Sequence, residues 1–185
     1  ACGRYVIVFN GEIYNYREIA QSMAFEPRTG SDTEVLLEAF KRYGAACLGK
    51  LKGMFAFAVL DRSLRKILLV RDELGIKPLY YSYTQAGFVF ASELSAFAAV
   101  QDSIGLRLDP EAIQHFLHLG FIPAPHSIYR GIKKLPPGTW AEFHQDGFEL
   151  HPYWQLEQQL TKEVARDEVQ IETQLRGLLT DSVRQ

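Results

Sequence analysis

With 185 residues, 47% of them hydrophobic, the chain is long enough for one domain with a substantial core and a tail. Its 20 basic and 22 acidic residues are interspersed and leave a net charge of −2, which excludes the electrostatic footprint of a nucleic-acid binder or of a protein drawn to anionic membranes. No apolar stretch reaches the roughly 20 residues of a membrane span, Ala1 opens no signal sequence, and Cys2 and Cys47 make no disulfide framework, so a cytoplasmic protein with reduced thiols is expected.

The first element expected is a strand. Tyr5-Val6-Ile7-Val8-Phe9 is an unbroken apolar run rich in β-branched and aromatic residues, which suits a strand covered on both faces. It stops at Asn10-Gly11-Glu12, so the strand end is expected to be a rigid edge. Such an edge holds an amide side chain, Asn10, beside an unencumbered backbone N–H, Gly11, both aimed at a developing oxyanion. Glu12 adds a fixed negative charge beside them. A hairpin turn is the competing meaning of Asn-Gly, weakened by the helical pattern that follows. In Tyr16-Arg17-Glu18-Ile19-Ala20-Gln21-Ser22-Met23 the apolar Ile19 and Met23 stand four apart with charge between, and Pro27 and Gly30 close the region. Ser31 or Asp32 then caps a helix with the apolar stripe Val35, Leu36, Ala39 and Phe40, and the spacing from Ser31 to Glu34 fits a capping box. Asp32 therefore has two roles open to it, helix cap or ligand contact. Cys47, within Ala45-Ala46-Cys47-Leu48, reads as packing.

From Gly53 the period changes. Met54–Leu60 and Ile67–Val70 read as a hairpin with a polar tip, Leu79–Tyr83 and Phe88–Ala91 as a second, and Trp140–Phe143 with Phe148–His151 as a third around an Asp-Gly turn. The sheets are thus largely antiparallel, the helical segments are segregated from them, and the class is α+β. Between the first two hairpins, Gly75-Ile76-Lys77 lacks the glycine cradle and the following Ser or Thr of a phosphate loop, and Arg71 with Asp72 is read as a pair fixing a loop at the sheet edge. Ser92-Glu93 opens a helical segment through Leu94, Phe97 and Ala98. Asp109-Pro110-Glu111 is a strong helix start. On that helix His115 and His118 lie three apart, but no second ligand pair is in register and no metal is expected. The proline-stiffened stretches around Pro123-Ala124-Pro125 and Pro136-Pro137-Gly138 read as extended crossings, with Lys133 and Lys134 in a solvated loop. Beyond Trp154 the composition shifts to a polar linker, followed by a helix whose apolar positions are Ile171, Leu175, Leu178 and Leu179.

Asn10-Gly11-Glu12-Ile13-Tyr14-Asn15, Ser31-Asp32-Thr33-Glu34-Val35, Gly53-Met54-Phe55-Ala56-Phe57 and Arg71-Asp72-Glu73-Leu74-Gly75-Ile76-Lys77-Pro78-Leu79-Tyr80-Tyr81 occur here in one order over most of the chain. Together they resemble the glutaminase domain of glutamine-hydrolysing asparagine synthetase. The resemblance implies the αββα fold of N-terminal-nucleophile hydrolases, two largely antiparallel sheets sandwiched between helical layers. It implies a glutaminase domain over residues 1–155, then a linker and the first helix of a following ATP-dependent synthetase domain over 156–185. The implied reaction is hydrolysis of glutamine, with ammonia passing to aspartate or another carboxylate. Asn10 and Gly11 would form the oxyanion hole, and Glu12 and Asp32 would hold the substrate's α-ammonium. The implied partners are glutamine and the C-terminal synthetase domain, with a homodimer a possible state; no cofactor is expected in this chain, and ATP and Mg²⁺ belong to the synthetase domain. One departure bears on activity. The family opens on a nucleophilic Cys at the mature N-terminus, with several strands before the Asn-Gly-Glu block, whereas nine residues precede Asn10 here. An N-terminally incomplete domain without its nucleophile, inactive alone, is therefore expected. Cys2 is a poor substitute: Ala1 caps its amine, and along an extended strand it would sit up to ~26 Å from the oxyanion donors. The alternative expectation is a nonhydrolytic scaffold or interaction module that keeps the fold.

Overall fold

The computed structural model describes residues 3–85, 87–145, 147–160 and 167–184. Strand β1 (Tyr5–Ile13) turns into helices α1 (Tyr16–Ser22) and α2 (Asp32–Tyr43) and a 3₁₀ helix over Gly44–Lys50. Strands β2 (Gly53–Asp61), β3 (Lys66–Arg71), β4 (Tyr80–Thr84) and β5 (Gly87–Ala91) follow. A 3₁₀ helix over Leu94–Val100, α3 (Gln101–Ile104) and α4 (Pro110–Leu119) separate these from the short β6 (Lys133–Lys134) and the hairpin β7 (Thr139–His144) with β8 (Gly147–Pro152). Helices α5 (Leu156–Leu160) and α6 (Glu168–Arg184) complete the chain. The strands form a five-stranded sheet in the order β1-β2-β3-β7-β8 and a three-stranded sheet in the order β5-β4-β6, with every pairing antiparallel. This is the expected α+β class, and all three expected hairpins form; the tips at positions 86 and 146 lie outside the described residues.

Side-chain alternation along β2 explains the layering. Phe55, Phe57 and Val59 point to one face, where with Leu68 and Val70 they pack on Ile19, Met23, Val35, Leu36, Ala39, Cys47 and Leu48 from the helical layer. Ala56 and Ala58 point to the other face. With Ala141 they leave room for the rings of Tyr81, Phe88 and Phe148 from the facing sheet and hairpin, with Leu69, Leu79 and Leu135 filling between. The ring of Phe88 stacks on Phe143 at 4.4 Å and that of Tyr81 on Phe148 at 4.8 Å. The 3₁₀ helix over Leu94–Val100 lies beside β5 and buries Phe97 completely.

The structure changes the reading of β1. Expected to be covered on both faces, it is an edge strand, with Val8 62% and Val6 39% exposed. Register gives the reason: Ile7, Phe9 and Ile13 share the face of Val59 and Phe57 and pack toward the helices, whereas Val6 and Val8 share the face of Leu60 and Ala58 and lie on the part of β1 that the three-stranded sheet leaves open. Nor does the strand stop at Asn10. It continues through Gly11 and Glu12 to Ile13, which removes the hairpin reading of Asn-Gly.

Two other local expectations are corrected. Ser31 is the N-cap of α2 and accepts from Thr33 N at 3.2 Å, but Glu34 reaches to Thr29 N (2.9 Å) and Thr29 Oγ1 (2.8 Å) and closes no capping box. Arg71 and Asp72 do not pair; each fixes the following loop through the backbone. Arg71 donates to the carbonyls of Lys77, Gly75 and Leu135, while the Asp72 carboxylate accepts from the amides of Phe55, Leu74, Ile76 and Lys77. Gly75 is required there, since a Cβ would lie 2.8 Å from Pro137 Cγ and its φ is +67°.

The chain divides into two compact units, 1–154 and 155–185. In the second, α6 forms where the three- and four-residue apolar spacing predicts it, and Ile171, Leu175, Leu178 and Leu179 are all exposed. Among the described residues no helix is long and apolar enough to cross a membrane.

Candidate active site

The last residues of β1 and the first turn of α2 meet around an open cleft of about 320 Å³ lined by Gly11, Glu12, Ile13, Tyr16, Gly30, Ser31 and Asp32. Two blocks that stand some twenty residues apart in sequence are joined by one bond: Asp32 Oδ2 accepts from Ile13 N at 3.0 Å. Asp32 is thus not the cap of α2, which is Ser31. It is the first residue of the helix, and it spends one carboxylate oxygen on the strand. Its other oxygen, Oδ1, lies 3.3 Å from Thr33 Oγ1 and 3.5 Å from Ser31 Oγ.

The ladder decides where the Gly11 amide points. Tyr14 N donates to Lys52 O, and Arg62 N donates to Arg4 O, so the even-numbered residues of β1 form the hydrogen-bonded pairs with β2. The odd-numbered amides are directed to the free edge, and Ile13 confirms the phase by giving its N–H to Asp32. Gly11 N–H therefore faces outward at the cleft. Glycine is needed at this position for close approach: a Cβ would lie 2.1 Å from Met54 O, and φ is +144°. On β2, Gly53, which stands opposite Ile13, is under the same constraint, with a Cβ 2.1 Å from Glu12 O.

Asn10 does not line this cleft. Its side chain leaves the strand on the opposite face from Gly11 and donates from Nδ2 to Ser92 Oγ, just beyond β5, at 3.4 Å. The structure thus gathers Gly11, Glu12 and Asp32 in one cleft and sets the Asn10 amide against the strand's other face, next to the three-stranded sheet. Ser92 went unnoticed in the sequence as a partner of Asn10, because nothing local marks a contact between residues 82 positions apart. Gly30 and Tyr16 carried a weak signal, being the last glycine before a cap and the first residue of a helix.

Other candidate groups resolve differently. Cys47 is fully buried and its thiol is pushed up to about 12, chiefly by burial, so it is packing and not a nucleophile. Cys2 lies outside the described residues. His118, spaced to join His115, instead places Nδ1 2.9 Å from Gln114 O. Lys134, expected in a solvated loop, belongs to β6, donates from Nζ to Ile122 O, and has its pKa lowered first by burial and then by Arg71.

Residues 1–154 match the family model described as a glutamine amidotransferase domain. The chain is 38% identical over 154 residues to a putative glutamine-hydrolysing asparagine synthetase 2 of Methanocaldococcus jannaschii, a match covering 82% of this chain and 30% of the relative. It is 35% identical over 183 residues to glutamine-hydrolysing asparagine synthetase 1 of Bacillus subtilis, covering 97% of this chain and 28% of the relative. Among solved structures, glutamine phosphoribosylpyrophosphate amidotransferase from B. subtilis, complexed with ADP and GMP, superposes with a TM-score of 0.58 at 22% identity, over 81% of this chain and 29% of that one. That likeness extends to the fold. The chain spans less than a third of the length of the curated relatives it matches.

Proposed function

The chain belongs to the glutamine amidotransferase domain family, and from that premise we propose that residues 1–154 are the glutaminase part of a larger asparagine synthetase-type enzyme. The domain hydrolyses glutamine, and the ammonia goes to a carboxylate, aspartate or another, activated by ATP and Mg²⁺ in a synthetase domain that α6 begins. The observation that carries the reading is the bond from Ile13 N to Asp32, which holds the outward-facing Gly11 amide, Glu12 and Asp32 around one cleft.

In this reading a thiolate attacks the side-chain amide carbon of glutamine and the carbonyl oxygen becomes an oxyanion. Gly11 N–H, fixed by the ladder at the cleft, supplies one donor, and the Asn10 amide, which rests on Ser92 at the strand's other face, supplies the second by releasing that long bond and turning toward the oxyanion. Such donors stabilise most what is most charged, which is the tetrahedral intermediate and not the substrate. Protonation of the nitrogen lets collapse expel ammonia and leave a thioester, which water hydrolyses to glutamate, returning the thiol. Glu12 and Asp32 place two carboxylates at the cleft, the charge needed to select an α-ammonium by charge-assisted hydrogen bonds. The thiolate is not Cys47, whose burial keeps it protonated and inaccessible.

The test is made in the full-length enzyme. Asp32→Ala is expected to raise KM for glutamine by roughly tenfold or more while ammonia-dependent synthesis continues. Equal loss with glutamine and with free ammonia would mean that Asp32 serves only to pin β1 to α2, and would sink the assignment.

A further inference from the structure

We propose that Glu111, His115 and His126 form a binding site for one divalent transition-metal ion of the zinc type, which staples the first turns of α4 to the loop that follows it. Among the described residues these three bring one ligand atom each to within 4.8 Å of one another. Glu111 and His115 stand one turn apart on the same face of α4, with Glu111 Oε1 3.9 Å from His115 Nε2. His126 comes from outside the helix and sets its ring 5.3 Å from that of His115. The expectation that no metal binds here rested on His115 and His118, the wrong pair; the third ligand lies beyond the helix, in a proline-stiffened loop.

The loop is held by backbone hydrogen bonds on both sides of His126. Asp109 N donates to Ile128 O at 2.9 Å, Arg130 N donates to Arg107 O at 2.8 Å, and Leu108 bridges Tyr129, tying the residues before α4 to those just after His126. Upstream, His126 N donates to Pro123 O, and Lys134 N donates to Pro125 O. The ligands thus ride on backbone held in place before any ion arrives, which lowers the ordering cost of binding. Tetrahedral zinc with bonds near 2.1 Å sets its ligand atoms roughly 3.4 Å apart. Rotamer adjustment of three half-buried or exposed side chains closes that difference. Two imidazoles and one carboxylate prefer zinc, copper or nickel over magnesium or calcium, whose ligands are oxygen. A fourth position is left to water, so the ion is held at an accessible site and not in a closed structural cage.

The experiment uses the chain stripped with a chelator and titrated with zinc chloride by calorimetry, with thermal unfolding in parallel. The expected result is one ion bound per chain and a raised Tm, with no rise in magnesium chloride. His115→Ala and His126→Ala each weaken binding by roughly tenfold or more, while His118→Ala stays within about twofold of the parent. Glu111→Gln, at an exposed position, weakens binding without risk to folding, and circular dichroism verifies the fold of each variant. Zinc affinity unchanged in Glu111→Gln and His126→Ala, or lost equally in His118→Ala, would mean scattered surface histidines and overturn the site. A Tm rise of the same size in magnesium would do the same.

Discussion

At Asn10 the side-chain amide rests on Ser92 Oγ at 3.4 Å, a bond long enough to give up at little cost when a stronger acceptor arrives. In the full-length enzyme Asn10→Ala is therefore expected to lower glutamine turnover by about 10²- to 10³-fold, the usual loss for one oxyanion donor, and to spare ammonia-dependent synthesis. Ser92→Ala is the control: if it costs as much, Asn10 acts through Ser92 and not through the substrate. A second residue-scale effect is electrostatic. The Arg4 guanidinium, 2.6 Å from Asp61, together with the amides of Leu64 and Ser63, holds the Asp61 carboxyl at about 2 against an ordinary 3.8. A folded pKa below the unfolded one adds stability above pH ~4 that is lost as pH falls toward 2. Asp61→Asn is expected to flatten the acid limb of a Tm-against-pH curve between those values; an unchanged slope there would show that other carboxyls carry it.

Among the elements, the loop after β3 is held more firmly than its sequence indicates. Asp72 is 1% exposed and its carboxylate serves four backbone amides, so its removal strands donors in a covered site. Asp72→Ala is expected to cost about 3 kcal/mol, a fall in Tm of roughly 10 °C for a domain of this size. A shift of a degree or two would mean that water replaces the carboxylate. The strand β1 teaches a related lesson. Its apolar run is legible as a strand, but whether it lies inside or at the edge of the sheet is not, because Val6 and Val8 carry apolar side chains on a face the second sheet leaves open. The hairpins were legible because their turns and alternation are local; the pairing of β3 with β7, which joins the third hairpin to the first, was not, since Leu69 and Ala141 meet only after the chain has built a whole second sheet.

For the whole molecule, both buried clusters are built from residues of the first unit between Tyr5 and Tyr153, the partly buried neighbours on β1 included. Removal of residues 155–185 is thus expected to leave the Tm of the first unit within about 1 °C, and a larger fall would show that α6 is part of its core. The purified 185-residue chain is expected to release no glutamate from glutamine, and Cys2→Ala to make no difference. Cys47 is inert, and β1 is extended from Tyr5, so Asn10 stands about 17 Å further along the strand. Turnover abolished by Cys2→Ala would refute this.

The sequence by itself determined the class, the hairpins, the helices and a short set of candidate site residues, because turns, caps and side-chain periods are properties of a few neighbouring positions. Asn10, Gly11, Glu12 and Asp32 stood out as an amide, a bare backbone and two acids, and the blocks around them named a family. Only the tertiary structure decided how they stand to one another. Asp32 binds Ile13 N because α2 packs on β1 over a shared core, Gly11 faces outward because the register with β2 is even, and Asn10 meets Ser92 because a second sheet lies behind the first. His126 is the same case, a ligand candidate visible only once its loop folds back on α4. Contacts across such separations depend on which faces the core closes, and that is a property of the assembled layers and not of any stretch within them.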